Sequence, residues 1–105
     1  MKKNKLYDEL VRQIEGLIDI EIGNIAYENG LELFYDKRDG IDIYVDKIGS
    51  EDKDIFERYL IGHYHNNDLL YLILYFEKEK KSMLNYMNKH IKNKVHYSMN
   101  DQVDY

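Results

Sequence analysis

Residues 31–46 alternate apolar and polar side chains in two runs that meet at Lys37-Arg38-Asp39-Gly40. Leu31, Leu33 and Tyr35 alternate with Glu32, Phe34 and Asp36. After the turn, Ile41, Ile43 and Val45 alternate with Asp42, Tyr44 and Asp46. A period of two places every second side chain on one face of a strand, and Asp-Gly between two such runs is a hairpin signal. The stretch predicts a β-hairpin over 31–47. One face is aliphatic and buried; the other carries Glu32, Asp42 and Asp46 among tyrosines.

The segment before the hairpin divides in two. Leu6, Leu10, Val11 and Ile14 recur at helical spacing, which predicts a helix over 4–15 with Asn4 as its cap and Gly16 as its stop. Ile18, Ile20 and Ile22 then alternate with Asp19 and Glu21. Dense β-branched Ile favours a strand, and Gly16 and Gly23 would each cost a helix about 1 kcal/mol relative to Ala. The reading is a strand over 18–27 that closes at Asn29-Gly30 and joins the hairpin in a three-stranded meander. A helix with Ile14, Ile18, Ile22 and Ile25 on one face is the alternative.

After the hairpin, Ser50 can cap a helix over 51–64, with Glu51 and Asp52 in its first turn and a stripe of Ile55, Phe56, Tyr59 and Leu60. A second helix is expected over 68–92. Leu69, Leu72, Ile73, Phe76, Met83, Leu84, Met87 and Ile91 share its face, and only Lys80 interrupts them. A buried strand over 69–76 followed by a helix over 79–92 is the alternative, since an all-apolar run of that length fits both. Val95–Tyr97 reads as a short extended piece, and 98–105 as a polar tail. With no repeat and no Gly/Ser- or Pro-rich linker, residues 1–105 are read as one small α+β domain.

Charge is unevenly spread along this domain. The formal net charge is −5, yet no Lys or Arg occurs between Arg12 and Lys37, where Glu15, Asp19, Glu21, Glu28, Glu32 and Asp36 lie. Over residues 13–57 there are 13 acids against four bases, whereas residues 1–12 and 58–105 are each net basic. Such a field steers partners rather than building a fold. There is no cysteine, which removes disulfides and thiolate metal sites. The basic start is followed by charged residues, so no export segment is expected, and the longest apolar run, Leu69–Phe76, is too short for a membrane span. The expected location is cytoplasmic. The Lys-, Asn-, Ile- and Tyr-rich mix is that of AT-rich coding sequence, as in low-GC bacteria and their phages.

Four constellations bear on chemistry. His63-Tyr64-His65, with Asp68 or His96 near by, is a candidate metal pair, although His at a helix end is ordinary. Asp42 and Asp46 with Glu77-x-Glu79-x-Lys81 share the residue types of metal-dependent nucleases, although Glu77–Lys81 reads as a solvated charge run. Ser50, Ser82 and Ser98 lie in no nucleophile elbow, and the scattered glycines form no phosphate loop. Lys78, Lys80, Lys81, Lys89, Lys92 and Lys94 could meet phosphates, but the chain as a whole is acidic. No cofactor is expected, and the chain is read as non-enzymatic. The remaining candidate is a partner-binding set of Glu28, Glu32, Tyr35, Asp36, Asp39, Asp42, Tyr44 and Asp46, aimed at a larger protein with a basic surface or nucleic-acid channel.

The order helix, three strands, helix over 4–64 resembles double-stranded-RNA-binding domains in topology. The segment 46–57 is acidic where such a domain needs bases, so no RNA-binding role follows from the resemblance. In size, charge and composition the chain is similar to phage-encoded antagonists of host defence such as anti-CRISPR proteins, and to bacterial immunity proteins. That likeness implies inhibition by occlusion.

Overall fold

The computed structural model describes residues 5–50 and 52–102, with side chains through Lys92. Its elements are α1 (Lys5–Ile18), α2 (Asn24–Glu28), β1 (Leu31–Asp36), β2 (Ile41–Lys47), β3 (Tyr59–Tyr64), α3 (Leu69–Leu74) and α4 (Phe76–Gln102). The three strands form one antiparallel sheet in the order β1-β2-β3. The class is α+β, and the hairpin lies where the alternation places it.

The segment over 18–27 is helical rather than extended. α1 passes into α2 through a π-helical turn, Asp19–Gly23, with helical backbone angles at Ile18, Gly23 and Asn24. Ile14, Ile18, Ile22 and Ala26 are each 0% exposed. Their strict spacing of four explains the turn. On a straight α-helix each step of four residues drifts about 40° around the axis. The wider π turn takes up that drift and holds all four on the core side. Burying three isoleucines is worth about 1.5–3 kcal/mol each, which exceeds the cost of Gly16 and Gly23 in a helix. Gly16 therefore does not end α1. Asn29 ends the segment instead, its side chain donating to the Ile25 carbonyl at 2.8 Å.

The helix expected over 51–64 is absent. A single 3-10 turn, Ile55–Glu57, is capped by Asp54, whose carboxylate accepts from the Phe56 N–H at 3.0 Å. The chain then becomes β3 and supplies the third strand of the sheet. The proposed stripe was misleading because Phe56 and Leu60 are exposed. A bulge where β3 meets Ile43 and Tyr44 turns both Ile61 and Tyr64 into the core. Gly62 lies where α4 crosses the sheet: a Cβ there would be 3.0 Å from Ile43 Cδ1 and 3.3 Å from Met83 Cγ.

Residues 69–74 are helical, as is the stretch that follows, with a break at Tyr75 (φ −116°, ψ 37°). Leu69, Leu72, Phe76, Met83 and Met87 face the core. Lys80, the interruption in their stripe, reaches Glu21 of the π turn at 2.7 Å. α4 runs on to Gln102, so Val95–Tyr97 is helical, and the expected tail is helical at 98–102. Asn4, Glu51 and residues 103–105 lie outside the described residues.

Gly40 carries the hairpin turn. It has φ +94°, and a Cβ there would stand 2.0 Å from the Tyr64 carbonyl oxygen. Gly40→Ala should lower unfolding stability by more than about 3 kcal/mol. Gly16, with nothing within 4 Å of a Cβ, should behave oppositely: Gly16→Ala should raise stability by about 1 kcal/mol if helical. Urea midpoints of the two variants measure both effects, and a loss at Gly16 would contradict the helix there.

Candidate interaction surface

The register sets Glu32 opposite Asp46 and Asp36 opposite Asp42 on the outer face of the sheet, with Phe34 opposite Tyr44 between them. Like charges directly opposite destabilise a sheet, and local partners relieve most of them. Arg58, whose side chain is 3% exposed, reaches Asp46 at 3.3 Å. Its guanidinium lies 3.6 Å from the centre of the Phe34 ring and also donates to Ser50 Oγ at 3.1 Å and the Lys53 carbonyl at 3.3 Å. Lys53 adds a second contact to Asp46 at 3.1 Å. Burial alone would raise the Asp46 pKa. The Lys47 N–H, Lys53 and Arg58 outweigh it and hold the carboxyl below its ordinary value.

Asp36 is gripped by Arg38, with Nη2–Oδ2 at 2.7 Å and Nε–Oδ1 at 3.0 Å, and these bonds lower its pKa. Asp42 meets His63 Nδ1 at 2.5 Å. Asp39 accepts from Asn66 at 3.2 Å and lies 3.8 Å from His65. Tyr44 is buried, and burial followed by Asp42 and Asp36 keeps its hydroxyl protonated. Arg58 had no sequence signal beyond being the single base between Lys53 and Lys78. Its role comes from the register.

The base-free stretch has a different fate. It folds into the helical segment ending at α2 and into β1, which run side by side. Between them is a groove of about 260 Å³ lined by Asp19, Gly23, Tyr27, Leu31, Glu32, Leu33 and Ile48. Successive strand side chains point to opposite faces. A groove touched by Leu31, Glu32 and Leu33 together therefore follows the edge of β1. Tyr35 donates its hydroxyl to Asp19 at 2.5 Å; burial, then Asp19, raises its pKa. Glu15 pairs with Lys37 at 2.8 Å. Among the described residues no ion pair engages Asp19, Glu28 or Glu32. Glu32 accepts only a long contact, 3.4 Å, from the Gly49 N–H. Tyr27, at 71%, and Ile48, at 43%, are exposed beside these acids.

The eight residues nominated from sequence thus do not share one face. Glu32 lines the groove, Glu28 is exposed on α2 next to Tyr27 in sequence but outside the lining, and Tyr35 donates to Asp19. Asp36, Asp39, Asp42, Tyr44 and Asp46 belong to the outer face and its turn, each with an internal partner or buried. Asp19, Tyr27 and Ile48 complete the groove and were not nominated. Asp19 was legible as part of the base-free run and Tyr27 as a tyrosine between its acids; Ile48 was not.

His63 and His65 lie on and just beyond β3, with ring centres 4.6 Å apart. No group of three His, Cys, Asp or Glu able to hold a metal ion occurs among the described residues; the His96 side chain lies outside them. Of the nuclease-like set, Glu79 accepts from the Tyr64 hydroxyl at 2.8 Å, on the side of the sheet away from Asp46. The lysines of α4 are partly engaged: Lys80 by Glu21, Lys78 by the Tyr71 hydroxyl at 3.2 Å, and Lys89 at 5.4 Å from the Tyr86 ring. The Lys94 side chain is outside the described residues. Among the described residues no helix is long and apolar enough to cross a membrane. No family model, curated protein or solved structure matches the chain.

The folded pKa values of Asp36 and Asp46 lie below the ordinary 3.8. The stability they contribute is therefore full above that value and is lost as pH falls through their folded values. Urea midpoints should be flat from about pH 7 to 5 for these groups and then fall, with a shallower acid limb in Asp46→Asn. Arg58→Ala, which leaves Asp46 with Lys53 and the Lys47 N–H and uncovers Phe34, should cost about 2 kcal/mol at neutral pH.

Proposed function

We propose that this chain is a binding domain for a larger protein with a basic surface, docking through the acidic sector made by α2 and β1. The observation that carries the reading is a groove lined by Asp19, Glu32 and the exposed Tyr27 and Ile48, with Glu28 next to Tyr27 in sequence and none of these three acids in an ion pair among the described residues. Carboxylates without internal counter-ions are the ones whose field reaches solvent. Aromatic and aliphatic groups between them supply the contact that charge alone does not. Asp36, Asp39, Asp42 and Asp46, by contrast, are engaged by Arg38, Arg58, Lys53 and the histidines.

The reading extends to inhibition. A basic surface able to accept this sector is of the kind that holds a nucleic-acid backbone, so docking there occludes that ligand without any chemistry by the chain itself. Association of this type is steered by charge and weakens with salt, since the Debye length is about 8 Å at physiological ionic strength.

Placement, not net charge, is what the test isolates. Glu28→Lys/Glu32→Lys and the control Asp8→Lys/Asp52→Lys make the same change in net charge. Calorimetric titration with poly-L-lysine at about 50 mM salt should show at least about tenfold weaker binding for the first pair and within about twofold of wild type for the second. Equal weakening by both pairs would defeat the sector model.

A further inference from the structure

The sheet order leaves β1 at an edge, and its ladder parity can be read. The Ile48 N–H donates to the Gly30 carbonyl at 3.1 Å, and the same register pairs Glu32 with Asp46, Phe34 with Tyr44 and Asp36 with Asp42. In an antiparallel ladder, hydrogen-bonded pairs alternate with non-bonded ones. Gly30, Glu32, Phe34 and Asp36 therefore bond to β2, and the N–H and C=O groups of Leu31, Leu33 and Tyr35 point away from it. Among the described residues, no backbone hydrogen bond outside the regular elements uses those groups. The groove between Tyr27 and Leu33 runs beside this edge.

We propose that β1 accepts an extended, basic polypeptide segment as a fourth strand, with one apolar side chain seated in the groove and lysines or arginines facing Asp19, Glu28 and Glu32. This deepens the acidic-sector reading and rests on it. Strand addition draws affinity from main-chain hydrogen bonds and specificity from pockets for alternate side chains. Both are here: three outward-facing backbone pairs, and a groove lined by Leu33, Ile48 and Tyr27. Its volume of about 260 Å³ has room for a side chain. Charge selects the occupant. A second copy pairing β1 to β1 would bring Glu28, Glu32 and Asp19 toward their own equivalents. A basic strand meets opposite charge along the same line.

The test uses unmodified protein and a labelled peptide, Lys-Val-Lys-Val-Lys-Val, read by fluorescence anisotropy. Two isomers carry backbone N-methyl groups, one on the lysines and one on the valines. An extended peptide turns its N–H groups alternately toward and away from β1, so one isomer should bind at least about tenfold more weakly than the parent and the other within about twofold. In amide-resolved NMR the Leu31, Leu33 and Tyr35 N–H resonances should shift on binding. Equal tolerance of both isomers overturns strand addition; if Glu28→Lys/Glu32→Lys still abolishes binding, the acidic sector stands alone. Loss of parent-peptide binding with poly-L-lysine binding retained has the same meaning. Absence of both overturns both readings, and a peptide-resistant dimer on gel filtration assigns the edge to a second copy and overturns the proposal.

Discussion

A three-stranded sheet with one apolar face is unstable until that face is covered, and here the spacing of one helical segment determines the cover. Ile14, Ile18, Ile22 and Ala26 recur at four residues, not at three and four. They reach the core together because the helix widens over Asp19–Gly23. That turn also brings Glu21 to Lys80 and Asp19 to Tyr35, tying the segment to α4 and to β1. Met83 and Met87 complete the layer from the other side, and Gly62 lets α4 lie against β3.

The second consequence is a sorting of charge. Hairpin register forces acids into opposition across β1 and β2, and the chain answers with cations at short range. Arg58 is the most expensive of these answers. Desolvating a guanidinium can cost more than its ion pair returns, but this one also stacks on Phe34 and reaches Ser50 and the Lys53 carbonyl. The outer face is thereby held together internally. Among the described residues, Lys37, Arg38 and Lys80 are the cations that pair with the six carboxylates of the base-free stretch, and three of the six are in no ion pair.

The parts legible in sequence were those whose signal is local. The hairpin follows from period two and a turn at Asp39-Gly40, and α1 and α4 follow from helical spacing. Residues 18–27 were misread because Ile18, Ile20 and Ile22 satisfy alternation while Ile14, Ile18 and Ile22 satisfy a helix. Only Ile20 separates the two, and it is 67% exposed, which no sequence pattern states. Residues 59–64 failed for the converse reason. Phe56 and Leu60 were counted toward a buried stripe, yet both side chains are exposed. Glu28 and Glu32 could be nominated from the missing bases alone. The partners of Asp42 and Asp46 could not, because His63 and Arg58 reach them only through the placement of a strand that was read as a helix.

The open edge of β1 poses the usual hazard of unpaired strand backbone, and proteins commonly guard such edges with charge. Guarding and recognition are usually opposed, since a charge that repels one strand repels most. Charge of a single sign removes the conflict. Carboxylates flanking the edge on α2 and β1 disfavour a second copy of the same edge, whose carboxylates would be brought against them. They favour a strand of opposite sign by the same Coulomb term. The lack of Lys and Arg between Arg12 and Lys37 therefore has one physical meaning on both counts. A single lysine placed at Glu28 or Glu32 would weaken both the guard against self-pairing and the attraction for a basic strand, so selection for either effect preserves the other.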